Sequence, residues 1–217
     1  MVAHKVAKEY LDTFTSEMDY TGIKSRDEVH AKGLWHQTFH CWLWKVENGE
    51  LILLFQRRHP QKLDYAGLLD ITAAGHLEAG ESPMDGIREL REELGLEIEF
   101  AQLTYSGVIP SSIEQEQIID NEFCHVFLHE YKGDITDFRL QEDEVVSIVM
   151  LEAEQFRKLI AGEAQQITGE EFVPSSGESG IKVDLTIQDF VPSRAGYYEY
   201  VLEQIASLAN QEVNQQN

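Results

Sequence analysis

Three glutamates, Glu89, Glu92 and Glu93, follow directly on Arg88. On a helix, at about 100° per residue, they share an arc of roughly 100°, while Ile87, Leu90 and Leu94 group on a different side. Carboxylates gathered this way repel one another unless something positive sits between them. Hard divalent cations that prefer oxygen ligands, Mg²⁺ or Mn²⁺, are the natural partners. Arg88 lies four residues before Glu92, close enough to hold that carboxylate and fix its direction. For a bare Glu-rich helix the better reading is a solvated face with Arg88 and Arg91 as ordinary salt-bridge partners, so the surrounding residues must decide.

The elements that would position these groups can be read along the chain. Aromatic and β-branched residues crowd from His36 to Val46, and Glu47-Asn48-Gly49-Glu50 then turns the chain into Leu51-Ile52-Leu53-Leu54-Phe55, a β-hairpin. A short strand is expected near Leu69 to Ala73, then a glycine-dependent loop marked by Gly75 and Gly80. Ser82 is expected to cap a helix with Pro83 at its first position, and Gly95 to close it. Strands are expected over Leu96 to Ile109, Glu122 to Tyr131 and Val145 to Leu151, and a helix over Glu152 to Leu159. Gly169 to Ile181 reads as a surface loop. Ser193 reads as the cap of a last helix carrying Tyr197, Val201, Ile205 and Leu208, with a frayed polar run from Asn210 to Asn217. Strands that flank and separate helices make an α/β (α+β) chain.

The 217 residues, 42% hydrophobic and 26% charged, suffice for one core, so a single domain over 1–217 is expected, with an N-terminal strand and loop segment (about 1–30) and a C-terminal helical extension (about 182–217). No apolar run approaches bilayer length and the start lacks a signal peptide's hydrophobic stretch, so the expectation is a cytoplasmic protein without membrane contact. Two cysteines, Cys41 and Cys124, are too few for a disulfide scaffold and read as buried thiols. The net charge of −22 disfavours nucleic acid as a partner. A small diphosphate is an anion too, so its binding requires local positive charge. Arg57 and Arg58, at the end of the hairpin, could clamp a phosphate, and they equally fit a surface basic pair.

Gly75, five residues, Glu81, and then Arg88-Glu89-Leu90-Arg91-Glu92-Glu93-Leu94-Gly95-Leu96 together resemble the signature of the Nudix hydrolases. The family has seven residues between the glutamate and the arginine where this chain has six, Ser82 to Ile87. The helix register survives this, while the position of Glu81 relative to the other glutamates is left open. The resemblance implies the Nudix fold, a mixed β-sheet sandwiched between helices. It further implies a metal-dependent hydrolase cleaving a diphosphate linkage in a nucleoside or isoprenoid diphosphate derivative, with Mg²⁺ or Mn²⁺ held by Glu89, Glu92, Glu93, Glu81 and the backbone near Gly75. Arg88 orients the carboxylates, and the general base comes from the box helix (Glu92, Glu93) or from outside it, Glu122 first and Glu142 and Glu144 behind it. A homodimer is a reasonable default.

Further residues, His30-Ala31-Lys32-Gly33-Leu34-Trp35-His36, Ala74-Gly75-His76 and Asn121-Glu122-Phe123-Cys124 among them, resemble the branch that contains type I isopentenyl-diphosphate isomerase. That enzyme opposes a glutamate with a cysteine just before a Gly-His pair; this chain has Ala74 there, so its proton-transfer pair is incomplete. The isomerase also binds a metal through histidines and glutamates, and His76, Asp120 and Glu122 match those positions. His36 is one residue closer to His30 than in that family, and at least two of His30, His36 and His40 are expected to be ordinary structural or surface histidines. His76 is otherwise a substrate-binding candidate. Trp35, Trp42, Trp44 and Tyr65 could cover an organic group or belong to the core. The rival functions are an isomerase and a Nudix-fold module that binds without chemistry.

Overall fold

The computed structural model describes residues 8–62, 64–115 and 118–215. Two short strands, β1 (Tyr10–Phe14) and β2 (Tyr20–Ser25), form an antiparallel ribbon that leads into α1 (Arg26–Lys32). The hairpin follows as β3 (His36–Glu47) and β4 (Glu50–Arg58), its turn made by Asn48 and Gly49, both with positive φ. Then come β5 (Leu69–Asp70), β6 (Ala73–His76), α2 (Arg88–Leu94), β7 (Thr104–Gln115), β8 (Ile118–Glu130), β9 (Val145–Glu152) and α3 (Ala153–Ile160). The described chain ends with β10 (Ile167–Val173), β11 (Glu178–Leu185) and α4 (Tyr197–Gln215).

The main sheet runs β11-β10-β9-β4-β3-β8-β7, with β5 on β4 and β6 on β3. It is mixed, because β3 pairs parallel with β8 while its other ladders are antiparallel. The period-two alternation of β3 sorts its side chains. Phe39, Cys41 and Leu43 pack with Leu54, Leu90 and Leu94 under α2, and Trp42 and Trp44 pack with Phe156, Tyr198, Val201 and Ile205 under α3 and α4. The sheet is thus sandwiched between helices. Burying so many large apolar side chains, at about 1.5–3 kcal/mol each, holds the site-bearing strands in place.

Several local expectations need correction. Ser82 does not cap the helix: its N–H and hydroxyl both donate to Asp85 Oδ2, at 2.8 and 2.7 Å, and a 3-10 turn over Asp85–Ile87 precedes α2. A 3-10 turn rises further per residue than an α-helix, which suits a lead-in one residue short. Gly95 does close α2, in the left-handed conformation, with φ 69. Residues 169–181 are no surface loop but parts of β10 and β11 with the turn between them. The strand expected from Leu96 begins only at Thr104, after a 3-10 turn over Phe100–Gln102, and the one expected near Leu69 to Ala73 is split between β5 and β6. Residues 182–185 belong to β11 rather than to a helical extension. Ser193 donates to the Arg194 carbonyl and lies ahead of α4, which begins after Gly196 and continues through the polar run to Gln215. Among the described residues no helix is long and apolar enough to cross a membrane.

Candidate active site and ion-binding groups

Leu90 and Leu94 anchor α2 in the core, and this turns Glu89 and Glu93 inward until they are only 8% and 6% exposed. Glu92 stays half-exposed on the rim. Arg88 is the hub. Its Nε and Nη2 donate to the two carboxylate oxygens of Glu81 at 3.1 and 3.2 Å, its Nη1 to Glu89 at 2.5 Å and to Glu92 at 3.2 Å, and its Nη2 to the His76 carbonyl at 3.0 Å. Glu81 therefore joins the group despite the shortened lead-in. Gln56 Nε2 donates to Glu93 at 3.3 Å. Gly75 lies against Glu89 so closely that a Cβ there would meet its Oε1 at 2.2 Å, which is why a glycine is required at this contact.

Burial pushes the Glu89 carboxyl up to about 7, with Arg88 opposing the rise and Glu92 adding to it. Burial also pushes Glu93 up to about 8, helped by Glu89 and opposed by Lys62. A cation held between buried carboxylates such as these would favour their charged form.

A second group lies where β3 meets β8 and β6. The parallel register sets His36 opposite Glu122, and β6 brings in His76 through its pairing with Thr38. The rings of His30, His36 and His76 form a triangle with centroids 5.1 to 5.3 Å apart. His36, fully buried, bonds the Leu34 carbonyl through Nδ1 at 3.2 Å, and its Nε2 faces Asp120 Oδ1 at 3.7 Å and Glu122 Oε1 at 3.9 Å. His30 Nε2 faces the same Asp120 oxygen at 3.9 Å. His30 Nε2, His36 Nε2 and Asp120 Oδ1 are buried with no hydrogen-bond partner among the described residues. Burial lowers the proton affinity of all three histidines, His36 to about 3, which leaves neutral imidazoles, the form that binds metals. Burial raises Asp120 and, well above its ordinary value, Glu122, which Asp120 raises further.

One cavity of about 700 Å³ joins the two groups; Arg58, Lys62, Tyr65, Ala74, Tyr197 and Tyr198 are among its lining residues. Residues 191–194, just ahead of α4, form part of its wall. Arg58 bonds Asp70 at 2.9 Å and the Asp64 carbonyl, whereas Arg57, on the opposite face of β4, bonds Glu171 at 2.6 Å and is not among the cavity's lining residues. Glu144 lines the cavity, paired with Lys62, and Glu142 is exposed outside it. Trp42 and Trp44 are core, and Trp35 stacks on Phe123. Cys41 and Cys124 are buried free thiols.

Of the three early histidines, His30 and His36 face Asp120 in the cluster, whereas His40 is held between Thr38 and the Tyr197 hydroxyl, the latter at 2.7 Å. Glu9, which no motif singles out, also reaches the cluster: its carboxylate lies 3.2 Å from His76 Nδ1 and 3.2 Å from Arg26. Burial would raise Glu9, but His76 and Arg26 outweigh it and hold the carboxyl at about 2.

Comparison with known proteins places this architecture. The NUDIX domain family model matches residues 34–169. Over 197 residues, 90% of this chain, it is 40% identical to an uncharacterized Nudix hydrolase of Clostridium acetobutylicum, 96% of which is covered. It is 32% identical over 164 residues to Nudix hydrolase 3 of Arabidopsis thaliana, covering 73% of this chain and 21% of that protein. A shorter match, 31% identical over 116 residues, covers 52% of this chain and 60% of the isopentenyl-diphosphate Delta-isomerase of Serratia proteamaculans. A crystal structure from Deinococcus radiodurans superposes with a TM-score of 0.53 at 21% identity, over 71% of this chain and 90% of that one. The chain belongs to the Nudix family.

Proposed function

We propose that the protein is a diphosphohydrolase dependent on Mg²⁺ or Mn²⁺ that cleaves a nucleoside or isoprenoid diphosphate derivative. The observation that carries this reading is the carboxylate group on and beside α2, at the wall of a cavity large enough for a small organic diphosphate: Glu89 is buried against Gly75 and gathered with Glu81 and Glu92 around Arg88, and Glu93 is buried beside them and held by Gln56.

Glu89, Glu92, Glu93, Glu81 and the backbone near Gly75 are the donors for ions at the box helix. His30, His36, His76, Asp120 and Glu122 are the donors for a further cation, and their unpartnered nitrogens and oxygen fit that role. When bound, the ions neutralise phosphate oxygens and make water more acidic. The chain supplies the rest. Arg88 fixes the directions of the carboxylates, and Arg58 and Lys62 offer positive charge to the phosphates in an otherwise acidic protein. Glu93 and Glu122 are the candidates to accept the proton of the attacking water; burial raises both, and a bound cation would favour the ionised form that can act as the base.

The test is release of phosphate or a monophosphate from a panel of organic diphosphates, with Mg²⁺, Mn²⁺ or a chelator. Turnover is expected only with the ion, and Glu93→Gln is expected to lower kcat by about 10²-fold or more. Undiminished turnover in that variant would remove the assigned chemistry.

A further inference from the structure

Glu9 sits on neither candidate ion site, yet it is tied to one of them. It lies just ahead of β1, outside the region matched by the family model, and is partly buried. Its carboxylate meets His76 Nδ1 at 3.2 Å, and its backbone carbonyl accepts from the Arg26 N–H at 3.0 Å, so the residue is pinned between β6 and the start of α1. An imidazole bonded to a carboxylate through Nδ1 is fixed in ring orientation and tautomer, and only Nε2 is left to bind anything else. His36 is held in the same manner, with Nδ1 on the Leu34 carbonyl and Nε2 turned toward Asp120. Two of the three histidines are thus prepared alike, one by backbone and one by Glu9.

We infer that Glu9 is a positioning residue: its carboxylate orients His76 so that the N-terminal segment completes a cation site whose ligands come from α1, β3, β6 and β8. This rests on the reading that His30, His36, His76, Asp120 and Glu122 hold a divalent ion. The ion favoured by such a donor set is a first-row transition metal, because imidazole nitrogens bind these better than they bind Mg²⁺.

Co²⁺ titrated into the full-length protein tests both statements through its visible absorption, with affinity from equilibrium dialysis and no assay of turnover. The wild type is expected to show a nitrogen-ligated Co²⁺ spectrum that His76→Ala abolishes; if His76→Ala leaves the spectrum intact, the histidine-site reading itself fails. Glu9→Ala is expected to weaken Co²⁺ about 10- to 100-fold and alter the spectrum. Glu9→Gln keeps an acceptor for His76 at nearly the same size, so it should restore the spectrum and most of the affinity. Mg²⁺ binding at the box helix should be the same in all three variants. Wild-type Co²⁺ affinity in Glu9→Ala, alongside loss in His76→Ala, overturns the role of Glu9. Should Glu9→Ala fail to fold, Glu9→Asp decides: its carboxylate is one methylene too short to reach His76, and wild-type affinity there is equally fatal.

Discussion

The Arg88 guanidinium donates to the His76 carbonyl oxygen at 3.0 Å, so the residue that gathers the box-helix carboxylates also grips the peptide unit whose side chain belongs to the histidine cluster. Four acceptors surround this one side chain: Glu81, Glu89, Glu92 and the His76 carbonyl. A planar fork with five donors can serve them all, and an ammonium cannot. Arg88→Gln is expected to reduce kcat/KM about 10- to 100-fold, and Arg88→Lys to give little rescue. Glu81→Gln, which disturbs two of the five hydrogen bonds and leaves those to Glu89, Glu92 and the His76 carbonyl, should be milder. Steady-state kinetics with saturating Mg²⁺ checks the order; Arg88→Lys at wild-type efficiency would refute the hub.

Gly75→Ala probes the closest contact at the site. The added methyl would stand 2.2 Å from Glu89 Oε1, and that carboxylate end is the part able to move. Gly75 does not have positive φ, so the backbone itself accepts alanine. The fold should therefore persist while Glu89 is displaced, and a displacement near 1 Å at a reacting centre costs about 10²-fold in turnover. Circular dichroism should match the wild type while kcat falls. Full activity would show that Glu89 is not needed in the position it occupies.

The buried carboxylates make stability depend on pH with a definite sign. Glu93 moves from 4.5 to about 8 and Glu89 from 4.5 to about 7 in the folded chain, so between these values the native state holds protons that the unfolded state has lost. Without divalent ions, their contribution to stability falls as pH rises from about 4.5 to 8. His36 and His40, both lowered to about 3, act oppositely: the unfolded chain binds more protons there, so their contribution rises with pH up to about 6.5. Comparing Glu93→Gln with the wild type in chelator cancels the histidines. The variant should have the higher Tm at pH 8, by about 2–4 °C for each kcal/mol relieved, and no advantage at pH 5, where Glu93 is already protonated. Mg²⁺ should raise the wild-type Tm more at pH 8 than at pH 6. An equal Tm difference at both pH values would exclude a buried, ionising Glu93.

What could be read in the sequence was what is fixed locally. The register of Glu89, Glu92 and Glu93 follows from helical spacing and the Gly95 stop, and the hairpin follows from Asn48-Gly49. Strand β11 escaped notice because its residues are mostly exposed and polar, so they show no apolar alternation, and the turn residues Pro174-Ser175-Ser176-Gly177 made the whole segment resemble a loop. The capping signal of Ser82 was real chemistry with a different partner, since Asp85 takes both of its hydrogens. Arg57 and Arg58 looked like one feature, but adjacent strand residues point to opposite faces, and only Arg58 reaches the cavity. Asp120 was reached only through the resemblance to the isomerase branch, and Glu9 and Gln56 come to the site through tertiary pairing, which no local pattern encodes.

The isomerase relatives provide the last test. Ala74 lines the cavity and pairs with His40 in the sheet, and its methyl can neither donate nor accept a proton. Cys124 is the thiol in reach, but it cannot stand in for the missing acid. It lies two residues from Glu122 on β8, so both side chains emerge from one face of that strand, with Sγ 3.6 Å from Glu122 Oε2. Burial and the neighbouring Glu122 push this thiol well above its ordinary value. Moving a double bond by protonating one carbon and deprotonating another needs the two groups set apart across the substrate, and here they are beside each other. Given isopentenyl diphosphate and Mg²⁺ or Mn²⁺, the protein is expected to form no dimethylallyl diphosphate by NMR, whether or not phosphate is released. Appearance of the isomer with the wild-type chain would mean that another acid serves the cavity, and the hydrolase assignment would have to be withdrawn.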